Sequence, residues 1–163
     1  GIVTTTGSSG GDPEVTTLDG YSYTLPTDNR TYRVLDTGGP ASRRIVINCS
    51  TIVEGDASYH DTLRAECDGK VVIWMYRDPL GPPVLVTGKE YIKILKDGHI
   101  TLRFDNTVAG TMRLSSTYAR GFTMSLTERP HTLSGYVVCD AGEDHVVRSL
   151  TDFKRTRHCG NRK

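Results

Sequence analysis

At 163 residues the chain has the length of one domain, enough to bury about 70% of its unfolded surface in a core. Hydrophobic residues make up 36% and charged residues 24%, with a formal net charge of +1, so the composition is that of a globular protein with no global field to gather nucleic acid or acidic lipid. No run approaches 18 apolar residues and no basic segment followed by an apolar stretch opens the chain, so neither a transmembrane helix nor a secretory signal is expected.

Residues 1–10 hold only Ile2 and Val3 as core formers, and Gly7-Ser8-Ser9-Gly10 reads as a flexible linker, so an N-terminal arm is expected there. If an initiator Met preceded Gly1 and were removed, Gly1 with Thr5 would fit the N-myristoylation pattern, the one route by which this chain would reach a membrane. From Glu14 onward, short strand-like runs alternate with turn signals. Tyr21, Tyr23 and Leu25 alternate with Ser22 and Thr24; Ile45–Ile47 is a short apolar run. Val71–Tyr76 is longer and carries Trp74. Ile100, Leu102 and Phe104, then Phe122, Met124 and Leu126, alternate with polar residues, and Tyr136–Val138 closes the series. A period of two buries one face and wets the other, as in antiparallel sheet.

The turn residues agree with this reading. Asp19-Gly20, Asp68-Gly69 and Asp97-Gly98 each suit a two-residue hairpin loop, because both central positions need positive φ. Pro79, Pro82 and Pro83 break the chain after the Trp74 strand, and Asp105-Asn106 reads as a turn. Ala57–Ala65 and Asp144–Phe153 are the candidate helical segments. The fold expected is an all-β antiparallel sandwich with at most one or two short helices. It would span residues 11–153, between the arm and a basic tail at 154–163.

Within Gly11–Leu25, Pro13 biases Asp12 to an extended conformation. A two-residue Asp19-Gly20 loop would pair Leu18 with Tyr21, Thr16 with Tyr23 and Glu14 with Leu25. Tyr23 and Leu25 would then face inward, and Val15 and Thr17 outward. These fifteen residues resemble the opening of the von Willebrand factor type D domain, in which G-D-P-H and an aromatic precede T-F-D-G and alternating aromatics. Gly11, Asp12, Pro13, Thr17, Asp19, Gly20 and Tyr23 match that pattern, while Glu14, Val15, Leu18 and Leu25 depart from it. Tyr21 falls at the start of the aromatic strand. Tyr23-Thr24-Leu25-Pro26 and Tyr32-Arg33-Val34-Leu35 also resemble D-like segments of capsid-associated proteins of large DNA viruses. The resemblance implies a structural component binding neighbouring proteins in a virion, or else an extracellular adhesive or matrix module. The secreted form of the family is rich in cysteine and holds calcium after a G-L-C-G-N stretch. Here Cys159-Gly160-Asn161 is followed by Arg162 and Lys163, which cannot supply the oxygen ligands calcium needs, so no calcium site is carried over.

Cys49, Cys67, Cys139 and Cys159 allow three full disulfide pairings, and none lies in a C-x-x-C zinc spacing. Asn29-Arg30-Thr31 and Asn48-Cys49-Ser50 are formal glycosylation sequons, meaningful only on an exported chain. His60, His99, His131, His145 and His158 form no H-x-x-x-H pair and read as exposed loop residues. The chain has no G-x-S-x-G elbow, P-loop or dinucleotide fingerprint. Hence no catalytic residue, metal, cofactor or small-molecule substrate is expected. The tail holds Lys154, Arg155, Arg157, Arg162 and Lys163 without an acid, which suits an acidic protein face. It nearly lacks the aromatics that stack nucleic-acid bases.

Overall fold

The computed structural model describes residues 5–10, 13–18, 20, 22–78, 80–94, 100–107, 110–127 and 133–137. Among these residues twelve strands form two antiparallel sheets that close over one core. In chain order they are β1 (Thr5–Gly10), β2 (Glu14–Thr16), β3 (Ser22–Thr24), β4 (Thr31–Asp36), β5 (Ile45–Glu54) and β6 (Ala57–Cys67). There follow β7 (Lys70–Met75), β8 (Val84–Thr87), β9 (Ile92–Ile94), β10 (Ile100–Thr107), β11 (Gly110–Thr117) and β12 (Gly121–Leu126). One sheet runs β3-β2-β1-β12-β11-β10-β9 and the other β4-β5-β6-β7-β8. The only helical pieces among the described residues are two 3-10 turns, Ala41–Arg43 and Lys89–Tyr91. The chain is thus an all-β antiparallel sandwich.

Alternation decides which face of each sheet turns inward. In the seven-stranded sheet Leu102, Leu114 and Met124 lie side by side, as do Phe104, Met112 and Leu126, and all six are buried. Opposite them, the five-stranded sheet presents Tyr32, Cys49, Leu63 and Trp74 in one row and Leu35, Ile47, Ala65 and Val72 in the next. The positions between these are polar on β10, β11, β12, β5 and β6, at Arg103, Arg113, Ser125, Asn48 and Arg64, but β7 has the half-buried Ile73 between Val72 and Trp74. On the outer face of the seven-stranded sheet the register aligns Lys93, Thr101, Ser115, Thr123, Ser8, Thr16 and Ser22, one from each strand. At one end of the sandwich, Arg120 adopts the left-handed conformation (φ 52°) in the β11–β12 loop. Its guanidinium reaches Glu54 on the facing sheet at 2.9 Å and lies 5.2 Å from the centre of the Tyr59 ring.

Several expectations need correcting. Residues 5–10 are not an arm. Thr5–Gly10 is an interior strand, bonded to β12 on one side and β2 on the other. Its glycines and serines permit close approach, since a Cβ on Gly10 would lie 2.9 Å from the Gly121 Cα. Ala57–Ala65 is not helical but lies in β6, between β5 and β7. A bulge at Ser50/Thr51 shifts the β5–β6 register and disguises the alternation in the sequence. Asp105-Asn106 is within β10 rather than a turn. Tyr136–Val137 is not a strand, but the adjoining Ser134 bridges Asp36 at the end of β4. Gly135 beside it has φ 119°, and a Cβ there would come within 2.8 Å of the Leu35 Cα, so only glycine fits.

The turn readings divide. Asp68 and Gly69, at φ 51° and 72°, form the expected two-residue loop between Cys67 and Lys70. At the opening hairpin, Thr16 opposes Ser22 and Val15 opposes Tyr23, one residue away from the expected register. The Gly20 N–H closes on the Thr17 carbonyl at 3.0 Å, and the Leu18 N–H crosses to the Val137 carbonyl at 2.8 Å. Leu18 therefore leaves the ladder, the loop lengthens to residues 17–21, and Val15 turns inward with 1% exposure. The Asp97-Gly98 turn and the Asp144–Phe153 helix lie outside the described residues.

Candidate functional site

One inner row of the seven-stranded sheet runs Ile100, Ser116, Phe122, Ser9, Val15 and Tyr23. Two of these positions are hydroxyls facing an apolar interior, where an unpaired hydroxyl costs about 1–3 kcal/mol. The facing sheet answers each. His60 on β6 places Nε2 2.6 Å from the Ser9 Oγ, and its Nδ1 is 3.0 Å from the Cys49 Sγ on β5. Tyr76, just after β7, shares a hydrogen bond with the Ser116 hydroxyl and donates to the Gly121 carbonyl at 2.6 Å. The His60 ring also sits 5.2 Å from the Phe122 ring. A neutral imidazole accepts at one nitrogen and donates at the other, so the Ser9–His60–Cys49 chain can run in either direction.

These three side chains have the makeup of a nucleophile and its base, but Ser9 is 2% exposed, Cys49 1% and His60 0%. Ser9 on one sheet meets His60 across the interior, with Cys49 beside His60 on the same sheet, and the Ser9–His60 hydrogen bond pins the two sheets in register. Burial drives the His60 pKa down to about 3. Burial raises the Cys49 thiol well above its ordinary value, helped by the Asp61 charge. It also raises the Tyr76 phenol, against the pull of the Ser116 hydrogen bond. His60, read from the sequence as an exposed loop residue, is thus a core residue. The signal that would have found it was its place in an alternating run with Ser58, missed because 57–65 read as a helix. Cys49 and Cys67 are free, buried thiols. On native protein at pH 8, iodoacetamide is expected to label Cys49 about 100-fold more slowly than an unfolded-chain thiol, because only opening of the core exposes it. Mass spectrometry with and without denaturant checks this; equal rates would mean that the core is not closed.

Of the residues singled out in the opening segment, Pro13 is buried and its carbonyl accepts from the Leu25 N–H at 2.9 Å. Gly20 holds φ 88° in its loop, and the Tyr23 hydroxyl donates to the Tyr136 carbonyl. These contacts are structural. Gly11, Asp12, Asp19 and Tyr21 lie outside the described residues, as do Gly1 and the tail residues Lys154, Arg155, Arg157, Arg162 and Lys163. So do Cys139, Cys159 and the other four histidines. Among the described residues no three His, Cys, Asp or Glu side chains are grouped to hold a metal ion, and no helix is long and apolar enough to cross a membrane.

The surface holds the remaining candidate. Among the described residues β8 is an edge of the five-stranded sheet, bonded to β7 alone. It carries no charge, its outward valines Val84 and Val86 are 41% and 50% exposed, and Leu80 just before it is 84% exposed. The other edges are guarded: β3 and β9 are three residues long, β9 carries Lys93, and β4 has Arg33 and a bulge. The sequence signalled the prolines before β8 but not that β8 would be an edge, which depends on pairing order.

Compared with known proteins, the chain matches no family model and no curated protein.

Proposed function

We propose that the chain is a non-enzymatic structural protein that joins a larger assembly by offering β8 to a strand of a neighbouring protein. The observation that carries this reading is the uncharged edge with Val84, Val86 and Leu80 turned to solvent. Such an edge is a template for strand addition, in which main-chain hydrogen bonds supply affinity and apolar side chains add fit. The resemblance of Gly11–Leu25 to D-like segments of capsid-associated proteins makes the virion of a large DNA virus the assembly of first choice. In that setting the basic tail would be a second contact, toward an acidic partner face. The alternative, an extracellular adhesive or matrix module of the type D kind, calls for disulfides, and Cys49 and Cys67 as buried free thiols favour the assembly reading.

The test is sedimentation of the tagged chain from its own source cells. Wild type is expected in the high-mass fraction, and a Val84→Lys/Val86→Lys chain in the monomer fraction. Stability of the double variant should change by no more than about 0.5 kcal/mol per site, since both side chains are exposed. Wild type found as a monomer, or the variant retained at high mass, would refute the reading.

A further inference from the structure

The outer face of the seven-stranded sheet carries a feature that assembly through β8 leaves unused. Arg103 on β10 and Arg113 on β11 are direct cross-strand partners. Like charges placed opposite each other on one face repel, and an ordinary sheet avoids the pairing. Lys93 on β9 neighbours Thr101, so a third cation borders the same surface. A shallow groove of about 260 Å³ lies among them, floored by Thr6, Thr123 and Ser125, and no carboxylate lines it. The nearest compensating group is Asp105, which holds the Arg103 Nε at 2.8 Å from the rim. Arg113 and Lys93 have no ion-pair partner among the described residues.

We propose that this groove binds a tetrahedral oxyanion ester, sulfate or phosphate, carried on a polysaccharide. Two guanidinium forks can grip such a group through paired N–H donors, which relieves their mutual repulsion. The polymer is a glycan because of what surrounds the arginines. The row of hydroxyls from Thr101 to Thr16 crosses the sheet, a line of roughly 19 Å at the usual strand spacing. Hydroxyls that both donate and accept match a chain rich in hydroxyls. No aromatic side chain stands in that row to stack a nucleic-acid base.

Isothermal titration calorimetry at physiological ionic strength tests this with four probes: dextran sulfate, phosphorylated dextran, plain dextran and a single-stranded oligonucleotide of matched charge. At least one esterified dextran should bind and plain dextran should not, and the tighter ester identifies the natural anion. Arg103→Gln and Arg113→Gln should each weaken binding about tenfold, while Arg77→Gln, a charge-matched change at an exposed residue off this face, should stay within about twofold. Without ligand, the thermal midpoint of Arg113→Gln should equal or exceed that of wild type. Absence of binding, equal loss in all three variants, an oligonucleotide bound as tightly as either ester, or a lowered midpoint in Arg113→Gln would each overturn the proposal.

Discussion

Replacing Trp74 with alanine is expected to lower the unfolding free energy by about 3–5 kcal/mol, a large share of the stability of a domain this size. Trp74 is the largest wholly buried side chain, and on β7 it lies between Leu63 of β6 and Leu85 of β8. Truncation there opens a void next to the middle strand of its sheet, which the flanking ladders keep from collapsing. Phenylalanine should behave very differently. The Trp74 Nε1 is buried without a hydrogen-bond partner among the described residues, so Trp74→Phe removes an unsatisfied donor while it opens only a small gap. The two effects oppose each other, and the net cost should stay below about 1.5 kcal/mol. Denaturant titration of the three proteins measures both differences. A cost for phenylalanine close to that for alanine would show that the indole N–H is satisfied and the packing model wrong.

The second large effect is on acid stability. His60 titrates near 3 in the folded chain because burial disfavours its charge, and near 6.5 when unfolded. Between those values the unfolded chain binds a proton that the folded chain refuses. Stability therefore falls as pH drops, by about 1.4 kcal/mol per pH unit from about 6.5 down to about 3. Above 6.5 this group contributes no slope. By pH 4.5 the loss is about 3 kcal/mol from His60 alone. Asp36 adds to it lower down. Burial pushes its carboxyl up, but hydrogen bonds from Arg44 and the Gly38 N–H and the charges of Arg44 and Arg33 outweigh that and hold it below its ordinary value. A carboxylate stabilised in this way loses its contribution as pH falls. Unfolding curves across pH 4.5–8 read the slope, and His60→Gln, less stable at neutral pH, should flatten it between 5 and 6.5. An unchanged slope in that variant would mean that another group governs acid unfolding.

The fold class was legible because alternation and Asp-Gly turns are local. Ile100–Phe104 and Phe122–Leu126 are strands with the expected inward residues, and Asp68-Gly69 forms the expected loop. What escaped the sequence depends on partners distant along the chain. Gly7-Ser8-Ser9-Gly10 has a linker's composition, but it packs where Gly121 and His60 leave room only for small residues. The opening hairpin slipped by one residue because Leu18 bonds to Val137, more than a hundred positions away. His60 read as a loop histidine because its hydroxyl and thiol partners come from β1 and β5. Of the candidate sites, the arginine pair required the β10–β11 register, and the β8 edge required the strand order of the whole sheet.

Strand addition at β8 is read out by amide hydrogen exchange on the free chain and on the chain in its native assembly. If a neighbouring strand adds to the sandwich, residues 84–87 exchange quickly in the free protein and become protected in the assembly, while interior β6 is slow in both. Equal exchange at 84–87 in the two states, with protection gained elsewhere or nowhere, would contradict docking through this edge.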